Sequence, residues 1–179
     1  MLGVNKNCVT LPRILAFLMA LVAVAAFFLP YISATEEYSE YIAAHADEKI
    51  YSSVDVTVGD LEEMSLFTYA KVYIQGGEEI FRSAAGGYFT GGIYAAVGVF
   101  ALLTALAALG KKPILTFFMN AIMGIAFYMV NWDVIDRNIM PDSNRVWGLS
   151  YHLYYPIIAI IAIVAIWMFV AKRKMKKHA

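Results

Sequence analysis

Asp133, Asp136 and His152 are the residue types that hold a divalent metal or pass protons, and they flank one short polar segment of an otherwise apolar region. Two carboxylates three positions apart and an imidazole beyond the loop could act as acid and base at a lipid headgroup, with Asp142, Asn144 and His45 as neighbours. Their spacing matches no established ligand motif. The expectation is therefore a solvated acidic loop in which Asp136 pairs with the adjacent Arg137, with no metal, no cofactor and no catalytic residue. A second set, Thr116, Asn120 and Gly124, recurs at four-residue steps, so a helix would bring all three to one face. An amide in mid-membrane is costly against lipid and should bond to a neighbouring helix; the same face could alternatively line a permeation path. A third set, Gly87, Gly91, Ala95 and Gly98, forms a stripe of small side chains of the kind that lets helix backbones approach closely.

The elements that must position these residues follow from charge. All fourteen acids fall within 36–79 and 133–142. Charge-free runs at 14–35, 83–110, 113–132 and 146–171 separate the acidic zones from basic ones. Each run can cross a ~30 Å hydrocarbon core at about 1.5 Å per residue. With 61% hydrophobic residues and positive mean hydropathy, the chain lies outside the range of soluble domains. The reading is an all-α integral membrane protein, one domain over 1–179, with a four-helix transmembrane bundle. Spans fall at about 14–34, 88–110, 113–132 and 151–171, outer loops at 35–87 and 133–150, and a basic tail at 172–179. Lys6, Arg13, Lys111, Lys112 and the lysine-rich tail then share one side, which the positive-inside rule makes cytoplasmic. Both termini face the cytoplasm, and the location is a plasma or bacterial inner membrane. The first run also has the outline of a signal peptide ending near Ser33-Ala34, but its length favours retention.

The first outer loop carries eleven acids against three bases. Tyr38, Tyr41, Ile42 and His45 fall at helical steps, predicting a helix over 36–45 that continues the first span outward. Val54, Val56 and Val58 alternate with polar residues, predicting a short strand within 50–58. Asp60 and Glu63 have capping-box spacing, predicting an amphipathic helix over 61–75 that ends at Gly76-Gly77. Tyr31, Tyr88, Tyr128, Trp132, Trp147, Tyr151, Tyr154 and Tyr155 gather at outer boundaries, where amphipathic rings prefer to sit.

In outline the layout resembles claudin-like tetraspan proteins, with four helices, a large first outer loop and a smaller second one. The likeness stops at segment lengths. The first loop has neither Trp nor Cys, and Trp147-Gly148-Leu149 stands in the second, so no residue role carries over. Cys8 is the single cysteine, which excludes disulfide-exchange chemistry between paired thiols. It could carry a palmitoyl group, and Lys176-Lys177-His178-Ala179 has the form of a dilysine retrieval signal, both only in a eukaryotic setting. No Asp, Glu, Lys or Arg lies inside the runs, which argues against a proton-coupled transporter.

The function expected is a non-enzymatic multi-pass protein acting through lateral or extracytoplasmic protein interaction, as an accessory, scaffold or assembly factor. Its partners would be the bilayer and a membrane protein or further copies of itself, and not nucleic acid. The alternatives are a small oligomeric channel or transporter with Thr116, Asn120 and Gly124 on the pathway, and a membrane-embedded hydrolase using Asp133, Asp136 and His152.

Overall fold

The computed structural model describes residues 7–177, with side chains described over 10–175. Lys6, His178 and Ala179, with the side chains of Cys8, Lys176 and Lys177, lie outside the described residues. The chain is mostly helical. Helix α1 (Asn7–Ala26) leads to strand β1 (Pro30–Ala34) and helix α2 (Glu36–Ala44). A loop with a 3-10 turn at Gly59–Leu61 then enters β2 (Glu63–Ser65), α3 (Leu66–Gln75) and the short α4 (Gly77–Phe81). The rest is α5 (Ala84–Leu109), α6 (Pro113–Asp136), β3 (Arg145–Trp147) and α7 (Leu149–Lys177).

Among the described residues, three helices are long and apolar enough to cross a membrane: α5, α6 and α7. A turn at Gly110–Lys112 joins α5 to α6, with Lys111 in the left-handed region at φ 56°. Gly110 takes the C-cap of α5 and Pro113 opens α6, the positions that glycine and proline favour. Of the four spans expected, three are helices of that length and character, and the first run, 14–34, is helical only to Ala26. The helix stops at Ala26, because Pro30 brings no amide N–H to a continuing helical ladder. The residues that follow pair as the central strand of a three-stranded antiparallel sheet, ordered β2-β1-β3. Ile32 stands opposite Met64 on one side and Trp147 on the other, and Ser33 opposite Glu63 and Val146.

Helix α1 packs against α5 and α7. Ala16 shares a buried cluster with Ala108, Val164 and Met168, while Phe27, just past the end of α1, lies against Gly98. Gly98 is fourteen residues along from Ala84, or about 21 Å at ~1.5 Å per residue. Thus α1 accompanies α5 only along the part nearer the Lys111–Lys112 turn. Beyond Gly98, β1 and α3 occupy the place a longer first helix would fill. The molecule therefore has a basic end, with the α5–α6 turn and the end of α7, and a sheet end.

Other elements also differ from the sequence reading. Helix α2 is separated from α1 by β1 and does not continue it. The 50–58 segment forms a loop with one isolated bridge, Lys49 to Thr57, and the alternation there serves to bury Val54 and Val56. Asp60 does not cap a helix at Leu61: its carboxylate accepts from the Thr57 backbone N–H at 2.8 Å. The helix begins five residues later, at Leu66, capped by the Ser65 hydroxyl, which accepts from Thr68 N–H at 3.0 Å. Its C-cap is Gly76, where the sequence places the end of the helix.

Candidate interaction surface

The sheet end is organised by tyrosines, two of which, Tyr31 and Tyr154, the sequence reading sends to the membrane boundary. Tyr31, Tyr94 and Tyr154 are fully buried instead, each with its hydroxyl hydrogen-bonded, as buried phenols require. Tyr31, on β1, sits edge-on to Tyr69, Phe127 and Trp147 and donates to Asn131 Oδ1. Asn131 Nδ2 donates onward to the Tyr155 hydroxyl at 2.9 Å. One network thus ties the sheet to α6 and α7. Tyr154 donates to the Ala23 carbonyl at 2.8 Å and pins the last turn of α1 to α7.

A second network centres on Asp133, near the end of α6. Tyr94 donates to Oδ2 at 3.0 Å, and Arg137 Nε donates to Oδ1 at 2.7 Å. Arg137 therefore pairs with Asp133, one turn back on α6, and not with neighbouring Asp136. Its guanidinium also lies over the rings of Tyr73 and Phe81, at 5.6 and 4.6 Å. Burial raises the Tyr73 hydroxyl pKa, and the Asp133 charge adds to the effect. Tyr69 is raised to about 12, mainly by burial. Among the described residues its hydroxyl has no hydrogen-bond partner of normal geometry, but Arg145 is close enough that its charge pulls the other way.

Of the chemical trio, Asp133 alone belongs to this network. Asp136 and His152 are exposed, and the His152 ring meets the edge of Tyr151. The three do not converge, and no cluster of three or more metal-ligating side chains exists among the described residues. Thr116 and Asn120 are buried on α6, and Thr116 Oγ1 donates back to the Lys112 carbonyl. Asn120 Nδ2 donates to the Ile158 carbonyl of α7 at 3.0 Å, and Gly124 faces the same Ile158. On α5, Gly87 and Gly91 lie against α3 and α4. A Cβ on Gly87 would stand 2.4 Å from Gly77 Cα and from the Tyr73 carbonyl oxygen. One on Gly91 would meet Ile74 at 2.5 Å, and one on Gly98 the Phe27 ring at 2.9 Å. Ala95 is half-buried and borders an apolar groove with Phe27 and Phe67. The stripe is spent on contacts within this chain.

Tyr94 and Tyr73 are functional neighbours that sequence reasoning missed. Tyr94 lies three and seven residues from Gly91 and Gly87, on the same helical face, so a phenol pointing into the packed interior was there to be read.

The surface left over is α2. It contributes a single buried residue, Ile42. Tyr38 stacks on Tyr41 at 5.7 Å and Tyr41 on His45 at 4.4 Å, forming an aromatic row with Tyr41 half exposed. Glu36, Glu37 and Glu40 are exposed on the same helix, and none of them is in an ion pair among the described residues. Glu36 and Glu37 sit in the first turn, where the helix dipole favours negative charge.

Together these features define a mostly helical protein whose three long apolar helices are compatible with a membrane and whose connecting segments build a compact sheet-and-helix cap. Compared with protein-family models, curated proteins and solved structures, the chain matches none.

Proposed function

We propose that this is a non-enzymatic multi-pass membrane protein that acts through protein interaction, presenting its cap to a partner on the extracytoplasmic side. In this reading α1 is embedded beside the three long helices, the basic end and both termini are cytoplasmic, and the membrane is a plasma or bacterial inner membrane. The distribution of Lys and Arg supports that orientation. One observation carries the interaction reading: α2 gives the fold only Ile42 while holding a stacked aromatic row and three exposed carboxylates that are in no ion pair among the described residues. Aromatic anchors on an acidic helix suit recognition of a basic partner, with the rings supplying contact area and the carboxylates steering the approach.

The test is photocrosslinking in cells with benzoylphenylalanine at Tyr41, against the same probe at Tyr88, an exposed residue near the start of α5. A discrete adduct from position 41, lost when Glu36, Glu37 and Glu40 are changed to Lys, is expected. Adducts of the same pattern from both positions, or an adduct indifferent to the charge reversal, would overturn the reading.

A further inference from the structure

At the basic end, the crevice between α6 and α7 opens into a groove of about 530 Å³. Its walls are apolar side chains: Ile114, Leu115 and Phe118 from α6, and Phe169 from α7. Its rim is Lys112, Lys172 and Arg173. A second depression of about 230 Å³ shares Pro113, Ile114 and Phe169 with the first and runs on along the helix pair past Ala165 and Ile166. The two depressions share these walls, and the first, an apolar channel open on its side, carries the cations at its rim.

The cations are held in place. Arg173 keeps its guanidinium over the Phe169 ring at 4.4 Å, directly above the groove wall. Lys172 Nζ donates to the Lys111 carbonyl at 3.2 Å, fastening the end of α7 to the α5–α6 turn. No acid in the sequence lies between 80 and 132 or beyond 142, so no carboxylate from α5, from the α5–α6 turn or from either wall helix's basic end offsets them. The first turn of α6 adds to the field: it has no side-chain cap, and the N–H groups of Ile114 and Leu115 have no acceptor within the helix.

From this we infer that the α6–α7 groove is a binding site for one anionic phospholipid, its phosphate headgroup held by Lys112 and Arg173 and an acyl chain lying along Ile114, Phe118 and Phe169. The charge pattern chooses the occupant. An apolar channel alone accepts any acyl chain, but a cationic rim without acids selects lipids with net negative heads. The site requires membrane embedding and is independent of any partner of α2.

Native mass spectrometry of the full chain in mild detergent tests this, with dioleoyl phosphatidylglycerol and dioleoyl phosphatidylcholine as the probes. The first phosphatidylglycerol is expected to bind roughly tenfold more tightly than the first phosphatidylcholine, given the attraction of a few basic residues. The double variant K112Q/R173Q should bring the two lipids to within about twofold of each other. K174Q, a tail cation outside the groove, should leave the preference intact. Ile114→Trp, which fills the channel and keeps every cation, should weaken phosphatidylglycerol binding. Glycerol phosphate, the head without its tails, should not displace the lipid at equal concentration. Equal binding of both lipids overturns the site, as does a K174Q loss as large as that of the double variant. Displacement by glycerol phosphate, or full binding by Ile114→Trp, overturns the lipid assignment.

Discussion

The two ends of the molecule solve the packing of the long apolar helices differently. At the basic end, α1 meets α5 and α7 through alanines: Ala16, Ala20, Ala23, Ala105 and Ala108 are all buried. Small side chains let backbones come close where lipid gives no hydrophobic drive for association. At the sheet end α1 is gone, and its place is filled by β1 and α3, joined to the long helices by phenols, amides and the Asp133 carboxylate, which accepts from Tyr73 of α3 at 3.5 Å. Alanine contact needs only proximity. Hydrogen-bonded phenols need direction, and so they fix one orientation of the cap against the helices. The lesson is that apolar length alone does not make a long helix: residues 27–34 are as apolar as a helix end, yet they turn at 27–29 and form the central strand of a sheet at 30–34.

Glycine replacement should break this contrast most sharply. A Cβ on Gly148 would stand 2.4 Å from the Pro30 carbonyl oxygen, where the chain turns from β3 into α7 against β1. Gly87 is as closely confined by Gly77 and Tyr73. At the basic end a Cβ on Gly110 would meet nothing nearer than 3.4 Å. Gly148→Ala and Gly87→Ala should each cost on the order of 3 kcal/mol, the upper part of the overpacking range. Gly110→Ala should be close to neutral. Thermal unfolding in detergent would compare the three.

The hydrogen-bonded core supplies the next largest effect. Asn131→Leu leaves the Tyr31 hydroxyl buried without its acceptor and should cost about 1–3 kcal/mol. Asn120→Leu removes one interhelical bond to a carbonyl and should cost nearer ~1 kcal/mol. Equal losses would show that the two halves are not held differently.

The smallest effect concerns pH. Burial holds the Tyr69 hydroxyl neutral up to about 12 in the folded chain, against the ordinary value of 10.0. The unfolded chain ionises first, so this contribution to stability is intact below 10, falls as pH rises through 10 to 12, and is lost above. Tyr69→Phe should show a shallower alkaline loss of stability than the parent chain in denaturation curves taken across that window.

Much of this was legible in the sequence. The charge-free runs marked α5, α6 and α7, the Gly76 cap ended α3 correctly, and the helical spacing of Tyr38, Tyr41, Ile42 and His45 marked α2. The rest was hidden for physical reasons. Residues 27–32 are apolar and largely aromatic or branched, which suits a helix end in lipid and a buried strand equally; only Pro30 distinguished them. Asp60 and Glu63 imitate a capping box, yet the strand β2 intervenes because Glu63 and Met64 pair with Ser33 and Ile32. Asp133 stood out by residue type, but its partners come from α3, α5 and the turn that follows it, and pairing across helices has no local signature.

Cysteine labelling in intact cells tests the orientation on which the account rests. With Cys8 replaced by Ser, single cysteines at Glu40 and at Lys174 would be treated with a membrane-impermeant maleimide. Reaction is expected at position 40 in intact cells and at position 174 only after the membrane is permeabilised. Equal labelling of both positions from outside would contradict it.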